Sequence, residues 1–183
     1  MNGVAVRAWN GLALCAGYGG LELGMRLALG GSYRTVGVVE RDLVAAGVLA
    51  ARMAEGSLEP APIWDDVTTF NGAGWRGCVD IVTGGIPCQP FSVAGKRKGL
   101  DDERWIWPDI ARIIGEVGPR YVFLENVPGL IRHGLGHVLG SLAEMGFDAE
   151  WGCFSAAEMG APHKRERVFV LAYRDGERES QPE

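Results

Sequence analysis

The chain has 183 residues, 47% hydrophobic and 22% charged, with a net charge of −5 at pH 7. That length fits one domain with a sizeable core, and no apolar run approaches the roughly 18 residues needed to cross a bilayer, so no membrane association is expected. The negative charge excludes a protein that grips nucleic acid with its whole surface. Any such contact must use local basic clusters, and there are two, "GKRKG" at 95–99 and "HKRER" at 163–167. The first residues lack the charged head and long apolar block of a secretory signal. Four cysteines, Cys15, Cys78, Cys88 and Cys153, form no C-x-x-C pair. That spacing argues against a disulfide framework and a zinc ribbon, so no metal is expected and a reduced, cytoplasmic setting fits.

In chain order, short apolar runs alternate with helical periodicity, which predicts parallel strands joined by helices. Leu12–Cys15 reads as a strand ending in "AGYGG", and a helix opens near Leu21 with Leu23, Leu27 and Ala28 on one face. Thr35–Val39 is a second strand ending at Glu40, followed by a helix through Val44, Val48 and Leu49, then a weak strand or turn over Ile63–Val67. Val79–Thr83 is a buried strand, with Cys88 shortly beyond its end. The spacing of Ile106, Ile110, Ile113, Ile114 and Val117 predicts a helix stopped by Gly118. Tyr121–Leu124 is the next buried strand, ending in "ENVPG". Leu135, Val138, Leu139, Leu142 and Met145 mark a helix closed by Gly146, and Asp148–Phe154 with Arg167–Tyr173 read as a terminal strand pair. The whole is expected to be one α/β domain over 1–183, with a mostly parallel sheet, a C-terminal antiparallel hairpin, a mobile functional loop at about 87–105 and a polar tail over 174–183.

In open α/β sheets, ligands bind beyond the carboxyl ends of the strands. Four unusual segments fall there: "AGYGG", "VVERD", "GGIPCQPFS" and "ENVPG". Glycines at 17, 19 and 20 allow a tight turn and close approach of a ligand to the backbone, but they match neither the dinucleotide nor the phosphate-loop pattern. Glu40 stands where an acid holds ribose hydroxyls, and Asp66 could accept from an adenine amino group. Together they suggest an adenosine-containing cofactor with no phosphate to neutralise. For Asp65 or Asp66 a helix N-cap is the plainer alternative. Cys88 sits in a Pro-Cys-Gln-Pro frame whose prolines fix φ and aim the thiol, as a nucleophile needs. Glu125 emerges from the apolar strand "YVFL", where desolvation would raise its pKa and suit it to act as an acid or hydrogen-bond donor. Arg165 and Arg167 alternate along an extended segment and would present two guanidiniums to one side.

With those residues in place, the sequence resembles the cytosine-C5 DNA methyltransferase family from Leu12 to about Tyr173. "AGYGGLELG", "GGIPCQPFSVAGKRKG", "ENVPGL" and "HKRER" stand in that family's motif order. The resemblance implies a Rossmann-like methyltransferase fold with S-adenosylmethionine held by Gly17, Tyr18, Gly19, Gly20, Leu21, Glu40, Arg41, Asp66 and Val67. It implies that a cytosine is flipped out of DNA, that Cys88 adds to C6, and that Glu125 binds N3 and the exocyclic amine. Arg165 would orient the base with Arg167 in support. Pro87, Gln89, Ser92, Lys96, Arg97, Lys98, Arg104, Asn126 and His163 would face DNA or the base. Cys15 stands where the family usually carries an aromatic residue, and His163 where it carries glutamine. The family's target-recognition region and C-terminal motifs are not represented.

Three other readings compete with a self-sufficient DNA methylase: a catalytic subunit that needs a second polypeptide for recognition, a non-catalytic remnant acting as a binding module, and a methylase of free cytosine nucleotides. A bacterial or phage source is expected, with restriction protection, evasion or regulation as possible roles.

Overall fold

The computed structural model describes residues 8–87, 105–174 and 176. Seven strands form one sheet in the order β3-β2-β1-β4-β5-β7-β6. They are β1 Trp9–Leu14, β2 Tyr33–Val39, β3 Ile63–Trp64, β4 Ile81–Gly85, β5 Tyr121–Asn126, β6 Phe147–Ser155 and β7 Glu166–Arg174. The first five run parallel, whereas β7 lies antiparallel between β5 and β6. The expected α/β class and terminal hairpin are therefore present, and the carboxyl ends of β1, β2, β4 and β5 share one edge. β1 pairs with β2 on one side and β4 on the other. The chain thus leaves β1 in one direction and later returns on its far side, which opens a crevice at that point.

Side-chain alternation builds three layers. Leu12, Leu14, Val82, Val122, Leu124, Val168 and Val170 point to one face, where they meet α3 (Trp107–Val117) and α5 (Leu135–Glu144). Five side chains of α3 are buried, Trp107, Ile110, Ile113, Ile114 and Val117, each worth about 1.5–3 kcal/mol on burial. Gly118 at φ 62 stops this helix, as its sequence predicts, and a proline in the first turn starts it. On the opposite face Ala13 and Val38 pack under Leu49 of α2 (Leu43–Ala54), and Tyr33, Ile81 and Tyr121 under Met25 and Leu29 of α1 (Gly20–Leu29). A short helix, α4 (Gly129–His133), precedes α5 and had no periodic signal of its own.

One expectation is corrected. Leu23 and Leu27 are 50% and 77% exposed, and Ala28 is exposed too, so that face of α1 points away from the sheet. The inward stripe is instead Glu22, Met25 and Leu29, at i, i+3 and i+7, with the carboxylate Glu22 its one fully buried member. An acid on the packing face hid the stripe from a hydrophobic reading.

Candidate active site

The turn after β1 is built from backbone conformations that favour glycine. Gly17 and Gly19 have φ of 55° and 78°, and a Cβ on Gly19 would meet Leu49 and Leu58 at 3.2 and 3.3 Å. Cys15, which begins the turn, has φ 51°, the one non-glycine with positive φ among the described residues. Glu40, just past β2, ties this turn to its own strand end. Its Oε2 accepts from the Gly17 amide at 2.7 Å and its Oε1 from the Asp42 amide at 2.8 Å. Each carboxylate oxygen keeps a second lone pair for a hydroxyl donor. Asp42 in turn caps α2, accepting from the amides of Val44 and Ala45.

Beyond β3, Asp66 Oδ1 accepts from the Thr68 amide at 2.9 Å, which closes a turn; no helix starts there, so the helix N-cap weighed from sequence is not realised. The Thr68 amide and hydroxyl hold this carboxyl below the usual range, against a small cost of burial and with help from Arg41. Cys15, Val39, Glu40, Arg41, Asp66, Val67, Thr68, Gly85, Pro87 and Ile106 line a cavity of about 400 Å³. That lies within the range of about 300–1,000 Å³ typical of small-ligand sites. Of the expected cofactor residues, Glu40, Arg41, Asp66 and Val67 line it directly. Gly17 is joined to it through Glu40, whereas Tyr18 is largely exposed and neither it nor Leu21 is in the lining. Cys15, noted from sequence for standing where the family usually carries an aromatic residue, is in the lining, and Thr68 and Ile106 enter as residues the sequence did not single out for this site. Burial, then the carboxylates of Glu40 and Asp66, push the Cys15 thiol up to about 12.

Glu125 adjoins this cavity. Gly85 pairs with it in the β4–β5 register, and a Cβ on Gly85 would lie 3.4 Å from the Cys15 carbonyl oxygen and 3.8 Å from Glu125 Oε2. Arg167 Nε meets Glu125 Oε1 at 2.6 Å, and both side chains are 24% exposed. Glu125 therefore has a charged neighbour rather than the purely apolar setting its strand composition implies. Asn126, 3% exposed, donates from Nδ2 to the Ile86 carbonyl at 3.1 Å and accepts the Val127 amide at 2.8 Å. It ties Ile86, two positions before Cys88, to the end of β5. Arg165 and His163 are exposed in the segment before β7. Cys88, Gln89, Ser92, Lys96, Arg97, Lys98 and Arg104 lie outside the described residues.

The donor set fits S-adenosylmethionine: a glycine turn, an acid with free lone pairs, a second acid, and in the lining no lysine and a single arginine. Among the described residues no group of three or more His, Cys, Asp or Glu could hold a metal ion, and no helix is long and apolar enough to cross a membrane.

This architecture is shared with solved structures. A Spodoptera frugiperda DNMT2 mutant superposes with TM-score 0.77 at 21% identity, covering 96% of this chain and 52% of that one. The S. pombe Dnmt2 methyltransferase gives 0.72 at 23%, covering 91% and 51%. At that identity the likeness shows the fold, a methyltransferase-type α/β sheet. The family follows from sequence: the model for C-5 cytosine-specific DNA methylases matches residues 9–183, and the chain belongs to that family. The type II methyltransferase M.NgoMIV of Neisseria gonorrhoeae is 34% identical over 168 residues, 90% of this chain and 51% of that protein. M.NaeI of Lentzea aerocolonigenes is 36% identical over 163 residues, 87% and 38% respectively. The chain thus spans about half or less of the length of these relatives.

Proposed function

We propose that the chain is the catalytic core of a DNA cytosine-5 methyltransferase working in a restriction-modification setting. The observation that carries this is the single rim on which a cavity fit for an adenosine-containing donor shares Gly85 with the Glu125–Arg167 pair. When bound, S-adenosylmethionine supplies an electrophilic methyl group for C5 of cytosine. Glu40 and Asp66 would hold its adenosine, next to the Gly17–Gly20 turn. Cys88, three residues past Gly85, adds as thiolate to C6 of a flipped cytosine. Glu125 binds N3 and the exocyclic amine, so electron density builds at C5, and Arg167 fixes the carboxylate for that task. After C5 is methylated its proton leaves to a base, the C6–sulfur bond breaks, and Cys88 is released as thiolate. Arg165 orients the base, and Lys96, Arg97, Lys98 and Arg104 contact DNA.

The test is the product. Duplex DNA incubated with the chain and donor, then digested and analysed by mass spectrometry, is expected to contain 5-methyl-2′-deoxycytidine. Glu125→Gln should lower its rate by about 10²-fold or more, and Cys88→Ala should abolish it. Methylation of an amino group instead, or of free cytidine monophosphate with DNA untouched, would overturn the reading.

A second reading keeps this chemistry but needs a second polypeptide. Exposed apolar side chains favour it: Tyr18, Leu23, Leu27, Leu43 and Val44 beside the cofactor turn, and Trp151 and Phe154 on β6. If so, product forms only when the native source supplies that partner.

A further inference from the structure

The cavity's acidic wall has little regular structure of its own. Between β3 and the 3₁₀ turn at Ala73–Trp75, the segment that carries Asp66, Val67 and Thr68 contains neither helix nor strand. What holds it is α3. Arg112 Nη2 donates to the Val67 carbonyl at 2.7 Å, and Arg112 Nη1 to the Phe70 carbonyl at 2.9 Å. Nη1 also reaches both oxygens of Glu116, one turn on, at 3.0 and 3.1 Å. Glu116 Oε2 then accepts the Gly72 amide at 2.8 Å. One helical pair therefore grips the segment by two carbonyls and an amide. Contact is close enough that a Cβ on Gly72 would meet Val117 at 3.0 Å and Glu116 at 3.1 Å. Neither Arg112 nor Glu116 lines the cavity. Burial of Glu116 is outweighed by the Gly72 amide and the guanidinium, which hold its carboxyl below the usual range and keep the grip charged.

We propose that Arg112 and Glu116 are positioning residues for the adenosine end of the methyl donor. They set donor affinity by fixing the 66–72 segment without touching the ligand. The inference rests on the reading of the cavity as an adenosine site. The fork of a guanidinium is what the geometry requires. Two carbonyls and a carboxylate are bonded at once by a planar group, which an ammonium at the same place cannot reproduce. An i, i+4 Arg–Glu pair that touches nothing beyond its own helix contributes little.

The test uses the full chain, with S-adenosylhomocysteine as probe in calorimetry and hydrogen exchange of the ligand-free protein as an independent readout. In Arg112→Lys, amides of the 66–72 peptide should exchange at least tenfold faster while peptides of β1 and β4 keep their protection. Kd for the probe should rise 10- to 100-fold. KM for the donor should rise with it, and kcat at saturating donor should stay within about twofold. Glu116→Gln should show a smaller shift in the same direction. Faster exchange in the segment with unchanged Kd would overturn the inference, as would a global loss of protection with kcat and KM falling together. A wild-type chain that fails to bind the probe would sink the adenosine reading itself, an outcome distinct from a wild type that binds and a lysine variant that binds equally well.

Discussion

Cys15 shows how one residue is shaped by the ligand site it borders. Its φ of 51° costs a non-glycine residue about 1–2 kcal/mol, and its thiol titrates near 12 instead of 9. The native chain holds that proton more tightly than the unfolded one. The stability this contributes is intact below pH 9 and is lost as pH rises toward 12. In a Cys88→Ala background at pH 8, a thiol-reactive disulfide should modify the exposed Cys78 and Cys153 and spare Cys15 until the chain is unfolded. Rapid labelling of all three would contradict the assignment. Gly19 offers a second check. Alanine there must adopt φ 78° and crowd Leu49 and Leu58, whereas a Cβ at Gly20 meets nothing within 4 Å. We expect Gly19→Ala to lose about 1–3 kcal/mol in urea unfolding, and Gly20→Ala to lose little.

At the scale of elements, α1 is packed through a carboxylate. Glu22 Oε1 accepts from the Thr83 hydroxyl at 2.8 Å, while Oε2, the Tyr33 hydroxyl and Thr35 Oγ1 find no hydrogen-bond partner. Burial, only partly offset by Thr83, keeps the Glu22 carboxyl above its usual range. The sign is that of a group protonated more readily in the native state, so its contribution to stability fades as pH rises through and beyond the ordinary carboxylate range. Glu22→Gln should therefore raise stability at pH 8 by about 1–3 kcal/mol and flatten its dependence on pH. A less stable variant at pH 8 would show that the charge has a compensating partner.

The elements also show what was legible in the sequence. Strand ends carrying glycine and acid signals could be read because chemistry there is local to a few residues. α3 could be read because Ile106, Ile110, Ile113, Ile114 and Val117 repeat at helical spacing up to the stop at Gly118. The Glu125–Arg167 pair could not, because it depends on β7 inserting next to β5 rather than trailing β6. Hydropathy does not reveal that topology. Arg112 and Glu116 were equally hidden, since on sequence they are an ordinary surface pair and their partners are backbone atoms some 40 positions away.

For the whole molecule, a charge of −5 confines DNA contact to local cations. Each phosphate neutralised contributes a slope of about −0.9 in log K against log salt. Replacing Lys96, Arg97 and Lys98 together by alanine should flatten the slope by about 2–3 if all three meet phosphates, which a salt titration of DNA binding measures. The central claim concerns one bond, between the Cys88 sulfur and C6 of cytosine, formed opposite the Glu125 carboxylate. Duplex DNA containing 5-fluorocytosine cannot lose the C5 substituent after methylation and so traps that bond. With labelled S-adenosylmethionine, and with the partner if one is needed, peptide mapping of the trapped complex should place the nucleotide on Cys88. An adduct on another residue, or one whose yield is unchanged in Cys88→Ala, would contradict the account.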